Sequence, residues 1–191
     1  MIEEEKKLNG SGIQKWLFRM LCSRPDMVDT TRELSEWMLG GATIEHKKVV
    51  CQTMKHAIHA KHRGLNLEPT FLLNDRHTKF GMKGRTGRNY ATNPETRESV
   101  SGIEVTLNGA PVLTRSVGQK IVALSVTEAE IISMTQASQD ILHVMRLLES
   151  MGSHVENPMH LKSDNKGAIE ICNNWSITGR TKHIEVSYVF L

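Results

Sequence analysis

Between two segments rich in β-branched residues, 98–107 and 111–117, stands Asn108-Gly109, a dipeptide that turns a chain back on itself within two residues. A hairpin at that point commits both flanks to antiparallel strands. A further strand is predicted just upstream, over 78–86. Downstream, Ser125-Val126-Thr127-Glu128 has the form of a capping box. It opens a long helix in which Met134, Ile141, Met145 and Leu148 recur at helical spacing, with Gly152 as its stop. The spacing then predicts a strand over Met159–Asp164, a short helix from Asn165 to about Trp175, and a last strand near Lys182–Val189. A meander followed by strand–helix crossovers implies an α/β fold, with helices packed on a mixed sheet.

The front half has a different period. Residues 1–12 end in Asn9-Gly10-Ser11-Gly12 and read as a loop. A helix is predicted from Pro25 to Leu39, since Pro suits the opening turn and Asp26 the positive helix end. Its apolar face is Met27, Leu34, Trp37 and Met38, and Gly40-Gly41 stops it. A second helix is expected from Thr43 to His62, with Val50, Met54, Ala57 and Ile58 on one stripe and Gly64 at its end. The two read as an antiparallel hairpin. Turn signals at Glu68-Pro69 and Asn74-Asp75 then separate a helical segment, 1–70, from a sheet-forming domain, 76–191.

Composition narrows the class. With 191 residues, 39% of them hydrophobic, the chain has material for a real core, which excludes wholesale disorder and a disulfide-stapled miniprotein. No apolar run reaches the ~20 residues that cross a bilayer, and Met1-Ile2-Glu3-Glu4-Glu5-Lys6-Lys7 has no signal-peptide core. Cys22, Cys51 and Cys172 lie far apart with no CxxC pair, which fits a reducing compartment. No membrane partner is expected, and the location read from these features is intracellular, cytoplasmic or nuclear, not secreted. A net charge of +3 is too small to argue nucleic-acid binding alone. Three Trp, two Tyr and four Phe are too few for a base-stacking platform.

In such a fold, ligands gather where strand ends meet helix starts. Asp164 is placed at a strand end, Glu130 in the first turn of the long helix, and Glu185 in the last strand. Three acids from separate elements could converge on hard divalent cations, which take oxygen ligands, and a two-metal site of that kind hydrolyses phosphodiesters. The plain alternative is that a first-turn Glu and a strand-end Asp serve as caps or solvated residues. Arg180-Thr181-Lys182-His183 could hold phosphates or form a solvated loop. His56, His59 and His62 read as a wet helix face, and Cys172 as a small core residue.

Three strings carry a resemblance: Ser125-Val126-Thr127-Glu128-Ala129-Glu130, Ser163-Asp164-Asn165-Lys166-Gly167-Ala168 and Arg180-Thr181-Lys182-His183-Ile184-Glu185. In this order and at these intervals they resemble the ribonuclease H domain of copia-type LTR retrotransposon polyproteins, with their "LSxTEAE", "DNxxA" and "RTKHIDI". The segment Asn93-Pro94-Glu95-Thr96-Arg97-Glu98-Ser99-Val100-Ser101-Gly102 is similar to the family's stretch after its first strand. Ser23-Arg24-Pro25-Asp26, Glu45-His46 and Arg63-Gly64-Leu65 look like the region joining polymerase thumb to nuclease. The resemblance implies a ribonuclease H-like mixed sheet of five strands, preceded by a helical hairpin. It implies Mg²⁺ as cofactor, and hydrolysis of the RNA strand of an RNA–DNA hybrid, beside a reverse transcriptase domain.

Carried over by position, Glu130 and Asp164 match two of the family's four catalytic acids, and Glu185 stands where the last Asp is expected. The first strand departs from the pattern. Against the family's "SDSDYA" or "SDADWA" this chain has Thr86-Gly87-Arg88-Asn89-Tyr90-Ala91, so Gly87 offers no side chain at the leading metal-binding Asp and Asn89 is neutral at the second. Arg76, Lys79, Lys83, Arg85 and Arg88 make this stretch positive, which repels cations. The chain stops at Phe190-Leu191 where the family continues into a further helix, so the nuclease-like domain reads as C-terminally truncated. No "YxDD" signature occurs, and reverse transcription by this stretch is not expected. The reading is therefore a ribonuclease H-like domain impaired in catalysis. Its alternatives are a non-catalytic binder holding hybrid duplex through Lys83, Arg85, Arg88, Arg180, Lys182 and His183, and a decayed remnant.

Overall fold

A computed structural model of the chain describes residues 13–18, 23–40, 43–68, 79–90 and 97–174, without the side chains of 37–40 and 174. The chain divides into two compact units, Met1–Asn66 and Leu67–Leu191.

In the first unit a 3-10 turn, Pro25–Met27, leads into α1 (Val28–Gly40), and α2 runs over Ile44–His59. Thr43 caps α2 reciprocally: its hydroxyl accepts from His46 N at 3.4 Å, and His46 Nδ1 accepts from Thr43 N at 3.1 Å. The hairpin is antiparallel, because Arg24 at the start of α1 reaches the far end of α2 and donates to the carbonyls of Ala57 and Ala60. Both carbonyls lie at the C-terminal end of α2, where a cation complements the helix dipole, and that of Ala60 also accepts from Arg63 N at 2.9 Å. Ile13, Leu34 and Val50 form the core, with Leu17 and Val49 against it.

Two details of the predicted helices change. The buried stripe of α2 is Val50, Thr53 and Ala57, while Met54 and Ile58 are exposed. Thr53 can lie inward because its hydroxyl donates to Val49 O at 2.9 Å. The helix also stops at Ala60 rather than at Gly64. Trp37 and Met38 of the predicted α1 face fall outside the described side chains.

The second unit is built on a four-stranded mixed sheet in the order β3-β2-β1-β4, from β1 (Met82–Asn89), β2 (Val100–Leu107), β3 (Ala110–Gly118) and β4 (His160–Lys162). Neighbours β1, β2 and β3 are antiparallel, and β4 joins β1 in parallel. The fold is α/β, as expected. Four strands of the expected five are described, and the fifth, near Lys182–Val189, lies outside the described residues. Asn108 and Gly109 both adopt positive φ, 50° and 89°, and make the tight turn their sequence signals. The predicted first strand, 78–86, is displaced to Met82–Asn89.

Helix α3 (Val126–Ser150) crosses one face of this sheet. Ser125 caps it by accepting from Glu128 N at 3.1 Å. The capping box is completed one residue early, since the Glu128 carboxylate accepts from Leu124 N at 2.7 Å and not from Ser125. Met82, Ile103 and Val105 meet Ala137, Ile141 and Leu148 in the main core. Helix α4 (Lys166–Asn174) packs Ala168 and Ile171 on Ile131 and Met134 of α3, with Cys172 half-buried beside them. Burial pushes the Cys172 thiol pKa up.

Candidate functional site

Alternate residues of a strand face opposite ways, and on β1 the inward set is Met82, in the core, followed by Gly84, Thr86 and Arg88. At Gly84 the sheet and α3 come so close that a Cβ would stand 2.5 Å from Ile141 Cδ1 and 2.8 Å from Leu161 Cδ1. One step along, Thr86 Oγ1 donates to Glu130 Oε1 at 2.8 Å. One step further, Arg88 Nε lies 3.3 Å from Glu130 Oε2. From the loop after β4, Ser163 Oγ donates to Glu130 Oε1 at 2.6 Å. Glu130 thus has no exposed surface and meets three partners, two from β1 and one from the loop after β4.

The two ends of the Arg88–Glu130 contact are not alike. Nε carries one hydrogen, which is given to Val126 O at 2.9 Å. The approach to Oε2 is therefore an ion pair and not a hydrogen bond, and Oε2 accepts no hydrogen bond among the described residues. Glu130 also sits just beyond the first turn of α3, where Glu128 is the acid, so the sequence placed it a residue too early.

The expected Asp164-Asn165 pair separates into two roles. Strand β4 ends at Lys162, so Asp164 stands in the connecting loop, exposed. Asn165 turns its amide oxygen to Ala168 N at 3.0 Å and caps α4, and its own N–H is held by Ser163 Oγ at 3.2 Å. Ser163 thereby links the buried carboxylate to the start of α4.

Gly87 belongs to the opposite pleat from Thr86 and Arg88, and a Cβ built on it meets nothing within 4 Å. Asn89, at the end of β1, is exposed. Arg85 is exposed over 67% of its side chain and stands 3.6 Å from Glu104. Arg88, read from the sequence as a phosphate contact, is turned inward and only 14% exposed. Glu185, Arg180, Lys182 and His183 lie outside the described residues. His56, His59 and His62 are exposed, as expected of a wet face.

These residues can be tested against the magnesium that the resemblance implies. That ion demands several oxygens in near-octahedral geometry. Among the described residues no three of His, Cys, Asp or Glu stand together so as to hold a metal. Gly87 supplies no ligand, Asp164 is exposed, and the Glu130 oxygens are engaged by two hydroxyls and a guanidinium. A divalent ion brought about 4 Å from Arg88 would meet a repulsion of about 8 kcal/mol at an effective dielectric of ~20. The described residues do not fit the ion.

Sequence reading missed the hydroxyls of Thr86 and Ser163, although each adjoins a residue it named. It also missed Gln119, which is 1% exposed and whose amide donates to Ser101 Oγ at 2.9 Å and Ala129 O at 2.8 Å, tying β2 to the first turn of α3. Nothing local in the sequence distinguishes Gln119 from a loop residue. A further, half-buried pair joins β3 to α3, where Arg115 donates to Asp140 at 2.8 Å. Burial raises the Asp140 pKa and Arg115 opposes the rise.

Compared with known proteins, the chain is similar along almost its whole length to polyproteins of plant retrotransposons. It is 28% identical over 93% of its length to the retrovirus-related Pol polyprotein from transposon TNT 1-94 of Nicotiana tabacum. It is 26% identical over 94% of its length to those of transposons RE1 and RE2 of Arabidopsis thaliana. The chain spans 13% of the first relative and 12% of the other two. These likenesses support the resemblance to copia-type Pol polyproteins read from the motifs. No family model and no solved structure matches. Among the described residues no helix is long and apolar enough to cross a membrane.

Proposed function

We propose that Leu67–Leu191 is the ribonuclease H-type unit of a retrotransposon Pol protein, and that it has lost Mg²⁺-dependent cleavage of RNA in RNA–DNA hybrids. The ordered motifs, the likeness to transposon Pol polyproteins and the mixed sheet support the family part of this reading. The helical unit ahead of it corresponds to the connection toward a reverse transcriptase domain. One observation carries the loss of activity: Glu130, the acid best matched to the family's catalytic set, is sealed from solvent and paired with Arg88. A two-metal reaction depends on shared oxygen ligands, and here the Glu130 oxygens are engaged by Thr86, Ser163 and Arg88.

A cleavage assay on an end-labelled hybrid, with Mg²⁺ or Mn²⁺, tests this. Wild type is expected to give no more product than Glu130→Gln. Metal-dependent cleavage that Glu130→Gln abolishes would overturn the reading.

A second reading, a non-catalytic binder of nucleic acid, is favoured by a different observation. Lys83 and Arg85 of β1 pair in register with His160 and Lys162 of β4, so four basic-type side chains share the pleat that faces away from α3. Backbone contacts of that kind make log affinity fall linearly with log salt. A flat salt response, or no binding of hybrid at low salt, removes it.

A further inference from the structure

The Arg88–Glu130 pair has a second peculiarity besides blocking a metal. Its guanidinium lies at the start of α3, bonded to the carbonyl of Val126, the helix's first residue. Positive charge is disfavoured at a helix N-terminus, and Arg is seldom buried unless paired. Arg88 is nevertheless 14% exposed, and the group that compensates it is Glu130, 0% exposed by side chain. Each charge is therefore the reason the other can be buried. The remaining Glu130 oxygen is filled by the two hydroxyls, so the cluster closes on itself with one positive and one negative group. In the resembling strings the residue at this position is Ser or Ala, neither of which carries a charge.

We infer that Arg88 is a built-in counter-cation that has taken the place of a divalent ion at Glu130, turning the carboxylate from a ligand into the tie between β1 and α3. The inference rests on the proposed ribonuclease H reading only in naming a divalent ion as what Arg88 replaces. The pair makes two consequences readable. The unit's stability does not respond to divalent metal. Removing Arg88 alone exposes the cost of a buried, uncompensated carboxylate.

The test is thermal melting of the full chain, wild type and Arg88→Ser, in EDTA and in millimolar MnCl₂. Wild type is expected to melt at the same temperature in both. In EDTA, Arg88→Ser is expected to melt about 10 °C lower. A wild-type Tm raised by MnCl₂ or an Arg88→Ser Tm unchanged in EDTA each overturns the inference. Should Arg88→Ser not fold, the double change Arg88→Ser with Glu130→Gln decides. A cooperative transition within a few degrees of wild type upholds the pair, and a chain equally unfolded overturns it. Because melting is read without substrate, hybrid cleavage by wild type sinks the proposed function separately from these outcomes.

Discussion

A carboxylate with no exposed surface has to find its positive charge inside the protein, and Glu130 finds it on the same strand that should have supplied an acid. The two glycines flanking that pair on β1 are opposite cases. Gly84 lies where α3 and β4 leave no room, so Gly84→Ala overpacks the core against Ile141 and Leu161 and should cost about 1–3 kcal/mol. Gly87 faces open space, and Gly87→Asp should leave the urea midpoint close to wild type. Equal losses for the two would contradict the assignment of pleats. In the helical unit, the Arg24 fork donates to both oxygens of Asp26 at 2.8 Å, and lowers its pKa from 3.8 to about 2. A depressed carboxylate pKa adds stability that is complete above the unfolded value and lost as pH falls through the folded one. The window is therefore pH ~4 down to ~2. With Asp26 a third exposed the loss is at most about 1 kcal/mol. Asp26→Asn should erase this window in acid melts of the helical signal. Asp140 has the opposite sign: its raised pKa makes the sheet unit bind protons more readily than the unfolded chain, so this group opposes acid unfolding.

Among the elements, the legible ones carry their signals locally. The Asn108-Gly109 turn, the Ser125 cap and the period of α3 are all chemistry of neighbouring residues. Strand β1 was displaced by several residues because Met82 is its one inward apolar side chain, and the inward positions after it, Gly84, Thr86 and Arg88, contain none. Two of them bind α3 through polar atoms and one by leaving a gap, which no hydrophobic alternation records. In α2 the buried stripe is narrow and includes a threonine, so Met54 and Ile58 drew the predicted face aside. The Asn108 turn itself does two jobs, since its side chain also accepts from Gly81 N at 2.8 Å. Asn108→Gly keeps the positive φ and loses that bond, whereas Asn108→Ala loses both. The losses should rank Ala above Gly, at about 2 against 1 kcal/mol in urea titrations. Equal losses would show that the side-chain bond to Gly81 carries the whole effect and the positive φ none.

For the whole molecule, the family resemblance was legible in spaced motifs, and the likeness to transposon Pol polyproteins runs along almost all of the chain. The site was legible as positions and not as contacts. Glu130 was named, but the sequence cannot show that Thr86, Arg88 and Ser163 all close on it from elements far apart in the chain. At this scale the sheet unit is a domain whose buried acid is balanced from within. The most direct measurement is anomalous diffraction at the manganese edge from crystals grown in MnCl₂. The expected result is no manganese peak within coordination distance of the Glu130 carboxylate, with Arg88 still beside it. A manganese ion bound to Glu130, with the Arg88 side chain displaced, would contradict it.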